Sequence, residues 1–208
     1  MTAPPAAPRP RCPRCGRPAS ACICACVAEV DNHIEVLILQ HPMEQHEAKG
    51  SGRLLQLCLR RSRLEVGERF ELPALQARVG SMADTLLLYP VTPGEGPAAA
   101  PAAGAAPRRL IVLDATWRKS RKMLLLNPWL QTLPRLALDH PPASRYGLIR
   151  KAHRDDQLST LEATAWALQQ LERQEQRYAP LWAAFDRFVA QLTAARDAGA
   201  GLSPRRTS

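Results

Sequence analysis

The stretch RLIVLDATW, residues 109–117, decides the fold. Its leading residues, Leu110, Ile111, Val112 and Leu113, make a short branched apolar run of the kind a strand covered on both faces requires. The run halts at Asp114. Residues 117–126 then read as a helix up to an Asn127-Pro128 stop, giving strand, polar turn and helix in succession. In open α/β sheets, ligands sit beyond the carboxyl ends of strands, where loops and helix N-termini present unpaired backbone groups. Asp114 stands at such an edge, Thr116 can hydrogen-bond or cap, and Trp117 offers a flat apolar wall. The local pattern leaves a second reading open, in which Asp114 caps the following helix and Trp117 belongs to the core.

Working outward, residues 34–40 (IEVLILQ) read as a second buried strand that ends at His41-Pro42, where the proline restricts the residue before it. The Gly-rich stretch 49–52 leads into a helix predicted over 53–64. Its dense Leu54, Leu55, Leu57, Cys58 and Leu59 imply a buried face, and Arg60, Arg61 and Arg63 mark a basic C-terminal end. Residues 85–89 (TLLLY) are another strand, and residues 133–138 a further short one, followed by a proline-broken loop over 139–146. Leu158, Leu161, Ala165, Leu168 and Leu171 recur every three or four residues, so a helix is predicted there, opened by a capping box of Ser159 and Glu162. A last helix is predicted over 179–195 with Trp182, Phe185, Phe188, Val189 and Leu192 as its apolar stripe. That stripe suits intramolecular packing or a dimer interface, so monomer and homodimer both stay open. Strands alternating with helices give the fold class: an α/β sheet with helices on both faces.

The expected organisation is a loose leader over 1–11, a cysteine-rich module over 12–30, an α/β domain over 31–198 and a frayed tail over 199–208. A low-complexity Gly/Ala/Pro insertion, 94–107, interrupts the domain. Hydrophobic residues make up 46% of the 208, enough for a real interior. No apolar run approaches the ~18 residues that cross a bilayer, and residues 1–11 lack the apolar region of a signal peptide. A cytoplasmic protein is expected. The net charge of +9 favours polyanionic partners. Eleven basic and four acidic residues fall between Arg108 and Thr160, so this excess is local. Nucleic acid suits it better than a membrane surface, because no long basic amphipathic helix with bulky apolar anchors is present.

Five of the six cysteines lie between Cys12 and Cys26, which argues for metal rather than disulfides. The spacing Cys12-x2-Cys15-x6-Cys22-x-Cys24 supplies four thiolates, the number that tetrahedral Zn²⁺ takes. Cys26 is a spare that leaves the ligand set open. A closed four-thiolate site has no position for substrate, so its role is structural. Cys58 reads as a small buried hydrophobe. The dinucleotide, phosphate-loop and serine-hydrolase signatures are missing.

Residues 144–162 (SRYGLIRKAHRDDQLSTLE) gather Arg145, Arg150, Lys151, His153 and Arg154 in one polar connection. Arg and Lys there suit phosphates, and Tyr146 suits stacking on a base. A solvated loop is the plainer alternative. Arg118, Lys119, Arg121 and Lys122 lie beside the Asp114 turn and suit a polyanion at the same edge, or else a charged helix face.

Taken in order, the cysteines, ILQHPMEQHEAKGSGRLL (38–55), LLLYP (86–90), LDATWRKSRKM (113–123) and SRYGLIRKAHRDDQLSTLEATA (144–165) resemble the DTW-domain family. That family includes bacterial tRNA-uridine aminocarboxypropyltransferases. The resemblance implies kinship with SPOUT-type RNA-modifying enzymes: a SPOUT-like sheet, a C-terminal knot and a site for S-adenosylmethionine (SAM). It implies transfer of the 3-amino-3-carboxypropyl group of SAM to N3 of a tRNA uridine, at variable-loop position 47, with release of 5′-methylthioadenosine. Carried onto this chain, it makes Asp114 and Trp117 catalytic. Asp114, Thr116, Trp117, Ser159, Thr160 and Glu162 become the cofactor site. Arg150 and Arg154, followed by Arg118 and Lys122, are expected to meet tRNA phosphates. Where the family often has Lys-Asn-Thr-Gly, this chain has Lys49-Gly50-Ser51-Gly52, which loses an amide side chain and keeps a hydroxyl. Uridine N3 must lose its proton, and Asp114 is either the base or an orienting group. Two other readings remain: SAM-dependent RNA methylation, and a zinc-stabilised RNA-binding protein without catalysis.

Overall fold

Five parallel strands, in the order β2-β1-β4-β3-β5, form a single sheet in the computed structural model, which describes residues 10–91, 107–148 and 158–200. The strands are β1 (Glu35–Gln40), β2 (Ser62–Val66), β3 (Thr85–Leu88), β4 (Arg109–Asp114) and β5 (Arg135–Leu136). The helices are α1 (Gly52–Cys58), α2 (Leu72–Val79), α3 (Trp117–Leu126), α4 (Pro128–Gln131), α5 (Thr160–Glu172) and α6 (Glu175–Ala200).

The period-two alternation of strand side chains divides the interior. Val36, Ile38, Leu86, Leu110 and Val112 face a layer made by α1, α5 and α6, which also takes in Cys15, Ile23 and Cys26 from the cysteine-rich segment. Leu37, Leu39, Leu87 and Ile111 face the opposite layer, with Leu75 and Val79 of α2, Met123 and Leu124 of α3 and Leu130 of α4. Helices therefore cover both faces, as the unbroken apolar runs of β1 and β4 require.

Several boundaries differ from expectation. The helix predicted over 53–64 ends at Cys58; Leu59 is already extended, and Ser62–Val66 is the edge strand β2. That strand carries charged residues, as suits its place at the edge of the sheet among the described residues. Arg63 pairs with Glu35 at 3.5 Å, and Glu65 with Arg78 at 3.1 Å, a polar dressing that hides an edge strand from hydrophobic periodicity. Asn127-Pro128 stops α3, as expected, but Pro128 also begins α4. The Asn127 side chain accepts from the amide of Phe70 at 2.7 Å and donates to the Met123 and Glu68 carbonyls. The strand predicted over 133–138 shrinks to two residues. The last helix starts at Glu175 rather than 179, with Pro180 inside it. Pro180 lies on the exposed side, while Tyr178, Leu181, Phe185 and Phe188 continue one buried stripe across it. The burial of that stripe against the rest of the chain outweighs one lost backbone bond. Phe185 and Phe188 are fully buried within this chain, so the aromatic stripe of α6 serves the intramolecular core. Among the described residues, no helix is long and apolar enough to cross a membrane. Most of the insertion 94–107, and Arg150, Lys151, His153 and Arg154, lie outside the described residues.

Candidate active site and metal centre

Strands β1 and β4 run in register, and their last pair is Gln40 with Asp114. Both residues break an apolar strand with a polar side chain at its carboxyl end. Asp114 is 5% exposed. Gln40 Nε2 donates to its Oδ2 at 2.7 Å, and the Thr160 hydroxyl donates to its Oδ1 at 2.6 Å. The carboxylate thus ties β4 to β1 and to the first residue of α5. Both donors stabilise the charged form, which offsets the cost of burying it. Its backbone carbonyl accepts from the amide of His41 at 3.1 Å. The cap reading of Asp114 is thereby overturned: the residue preceding α3 is Thr116, and among the described residues no side chain caps that end.

Space for the carboxylate comes from Gly52. A Cβ at that position would stand 2.1 Å from Asp114 Oδ2 and 2.6 Å from Cγ. Ser51, immediately before, accepts the amide of Leu161 on its Oγ at 3.2 Å. Ser159 takes the amide of Glu162 at 3.2 Å, completing the expected capping box. The N-terminal turn of α5 is therefore seated between its own cap and the loop before α1.

These groups edge a cavity of about 810 Å³ beyond the carboxyl ends of the strands, within the ~300–1,000 Å³ typical of small-ligand sites. Leu88, Val112, Leu113, Leu136 and Leu138 give it an apolar wall. Asp114, Thr116, Trp117, Arg118, Ser159 and Thr160 all line it, so the structure brings together most of the residues singled out in the sequence. Trp117 is 55% exposed and therefore not core. Its ring meets Tyr89 edge-on, with centroids 6.1 Å apart.

Two expected site residues lie elsewhere. Glu162 is fully buried and is not part of the cavity lining. Its carboxylate accepts from the amides of Ser159 at 2.7 Å and Arg145 at 2.6 Å and from the Ser144 hydroxyl, which fastens the segment before α5. Tyr146, expected to stack on a base, is 2% exposed. It packs on Phe185 with centroids 5.2 Å apart and donates its hydroxyl to the Lys49 carbonyl. An apolar neighbour and a backbone acceptor are both inside the fold, so the ring turns inward. Sequence reasoning missed Gln40, Gly52, Tyr89 and Glu44 as parts of the site. The signal for Gln40 was available, since it ends its strand just as Asp114 does.

Arg118 is exposed and makes no ion pair among the described residues. Lys122 pairs with Glu68 at 2.9 Å, and Glu68 also meets His41 Nε2 at 2.6 Å. Lys122 and then His41 hold the Glu68 carboxyl below its ordinary range. Lys119 is committed to Glu44 at 2.7 Å.

The ligand atoms of Cys12, Cys15, Cys22 and Cys24 all lie within 4.8 Å of one another. Cys12 and Cys24 sulfurs are 3.6 Å apart, and those of Cys15 and Cys22 3.8 Å. Tetrahedral Zn–S bonds of about 2.3 Å put sulfurs about 3.8 Å apart, so the spacing fits. The amides of Cys15 and Arg14 pull the Cys12 thiol down to about 6, whereas burial and the Cys12 sulfur push Cys24 up to about 12. Four thiols converging at this spacing are a donor set that a divalent cation completes. Cys26 is outside the group: its thiol donates to Gln191 Oε1 at 3.2 Å. Cys58 is buried, as expected.

The model of the DTW domain matches residues 9–193 of this chain, a span that includes Asp114, Thr116 and Trp117 at the cavity. The chain belongs to the DTW-domain family. This DTW-domain protein is 31% identical over 181 residues to tRNA-uridine aminocarboxypropyltransferase 2 of Macaca fascicularis, an alignment covering 81% of the chain and 59% of the relative. It is 31% identical over 171 residues to the Drosophila melanogaster protein of the same name, covering 79% of the chain and 67% of the relative. For the Mus musculus protein the identity is 30% over 181 residues, with 79% and 57% covered. The chain thus spans roughly three fifths of the length of the mammalian relatives. No solved structure gives a significant match.

Proposed function

We propose that this DTW-domain protein transfers the 3-amino-3-carboxypropyl group of SAM to N3 of a tRNA uridine, in the variable loop at position 47, releasing 5′-methylthioadenosine. The observation that carries the proposal is the Asp114 carboxylate, held by Gln40 and Thr160 at the wall of the cavity that Trp117 flanks. The relatives named for that activity support the choice of reaction. The resemblance to SPOUT-type proteins extends the proposal to a SPOUT-like domain with a C-terminal knot.

When bound, SAM supplies a sulfonium that activates its carbon substituents toward attack. The apolar wall of Leu88, Val112, Leu136 and Leu138 suits the adenine and methylthio portions. Tyr89 and Trp117 offer aromatic rings to a cation. The Ser159 hydroxyl, which accepts the Glu162 amide and keeps its own proton to donate, suits a carboxylate. Asp114 is best suited to orienting, because both oxygens already accept hydrogen bonds from side chains of other elements. Presenting one carbon rather than another to the nucleophile is a matter of such fixed geometry. Arg118 at the cavity rim, joined by Arg150 and Arg154 outside the described residues, would meet the tRNA backbone. The four-cysteine centre would hold Zn²⁺ in a structural role.

Incubation with SAM and unmodified tRNA, followed by nucleoside and small-molecule mass analysis, tests this reading. Aminocarboxypropyluridine with 5′-methylthioadenosine is expected. S-adenosylhomocysteine would show methylation instead, and a chain with no affinity for SAM would be an RNA-binding protein without catalysis.

A further inference from the structure

Arg17 lies inside the cysteine segment, between Cys15 and Cys22, but its side chain reaches out of it. The guanidinium donates to the carbonyl of Ala48 at 2.7 Å and to that of Gly50 at 2.7 Å. The carbonyl between them, on Lys49, accepts the hydroxyl of Tyr146. Three successive carbonyls are thereby gripped from behind. The guanidinium also stacks over the Phe188 ring, 5.2 Å from its centroid.

The loop held in this way is part of the cavity. Lys49, Gly50 and Ser51 line it, and Ser51 receives the Leu161 amide at the start of α5. Arg17 is in turn placed by the cysteine turn. The amide of Cys12 donates to the Arg17 carbonyl at 2.8 Å, and that of Gly16 to the Cys12 carbonyl at 2.9 Å, around Gly16 at φ +72°. One forked side chain therefore joins the turn that carries the metal ligands to the loop that shapes the pocket. A guanidinium can bridge two carbonyls with fixed geometry, whereas an ammonium is a point donor.

We infer that Arg17 is a positioning residue that makes the occupancy of the four-cysteine centre set the affinity of the cavity for its ligand. This rests on the proposed function in taking SAM as that ligand. The cysteine module then does more than stabilise the fold: it braces the wall of a pocket to which it contributes no lining residue.

The test compares wild type, Arg17→Lys and Arg17→Met in their zinc-loaded forms. Zinc content, calorimetric SAM affinity and hydrogen exchange at the amides of residues 49–55 are measured for each. Arg17→Met should keep its zinc, bind SAM about tenfold more weakly and exchange faster at 49–55, and Arg17→Lys should recover part of both losses. Stripping zinc from wild type with a chelator should reproduce the weakened binding. In Arg17→Met the same treatment should add little, because both changes cut one link. Unchanged SAM affinity in Arg17→Met, or a zinc effect equally large in both proteins, would overturn the inference. If Arg17→Met does not fold, Arg17→Lys carries the same comparison. Wild type with no SAM affinity would overturn the proposed function instead. The exchange measurement needs no ligand and would still show whether Arg17 braces the loop.

Discussion

Gln40 and Asp114 are partners in the last rung of the β1–β4 ladder, and a 2.7 Å hydrogen bond joins their side chains. Each ends an apolar strand with a polar group, so β1 and β4 together build one platform beside the cavity. Thr160 locks the second oxygen from above the sheet edge.

Asp114→Asn separates orienting from proton abstraction. The amide keeps the size and can still accept from Gln40 while donating to Thr160. SAM binding should weaken severalfold, with the single-turnover rate on bound tRNA falling by less than about tenfold. A fall of about 10²-fold or more at saturating SAM would identify Asp114 as the base. Asp114→Ala leaves the buried Gln40 amide and the half-buried Thr160 hydroxyl without their acceptor and should cost about 1–3 kcal/mol of unfolding free energy.

Gly52→Ala forces a methyl group to 2.1 Å from Asp114 Oδ2. The clash is with a side chain held on both oxygens, so it cannot relax freely. Overpacking of this kind costs about 1–3 kcal/mol, read in denaturant titrations, and SAM affinity should fall with it. In Gly52→Ala/Asp114→Ala the obstructing atoms are gone. The double variant should therefore be more stable than the sum of the single losses predicts. Strict additivity would contradict the close approach.

Serine in place of Cys12, Cys15, Cys22 or Cys24 should abolish stoichiometric zinc binding, measured by atomic emission on purified protein. Serine in place of Cys26 should leave it intact, because that thiol is hydrogen-bonded to Gln191 at 3.2 Å rather than to the cluster. Loss of zinc from Cys26→Ser would move the ligand set.

Arg118 and Lys122 should differ in their effect on tRNA binding, although both are exposed cations of α3. Lys122 must release Glu68, 2.9 Å away, before it can neutralise a phosphate, whereas Arg118 has no such pair among the described residues. Arg118→Ala should lower the slope of log affinity against log salt by about 1, and Lys122→Ala by less. Equal slopes for the two variants would discard the distinction.

Much of this arrangement was legible in the residue pattern. The apolar runs around Ile38 and Ile111 announced buried parallel strands, and both begin or end within a residue of expectation. Helix α3 matches its predicted bounds, and Ser159 with Glu162 forms the capping box that their spacing implied. Short elements were harder. The edge strand β2 has charged residues where periodicity looks for alternation, and α2, four residues after Gly67-Glu68, offers only Leu75 and Val79 as buried positions. Side-chain direction was harder still. Nothing local distinguishes Tyr146, turned inward onto Phe185, from a tyrosine presented to a base. Nor does anything local show that the fully buried Glu162 anchors a neighbouring segment rather than facing the cavity.

By itself, the sequence determined the strand-turn-helix unit around Asp114, the cysteine-rich module, the concentration of basic charge and the family, because each depends on residues close together in the chain or on ordered motifs. Only the tertiary structure decided which groups meet the Asp114 carboxylate. Gln40, Gly52 and Thr160 are 74, 62 and 46 positions from Asp114, yet they meet at one carboxylate. Strand order and the return of α5 to the centre of the sheet bring them there, and periodicity within a segment carries no information about either. The reach of Arg17 from the cysteine turn to the cavity loop has the same origin.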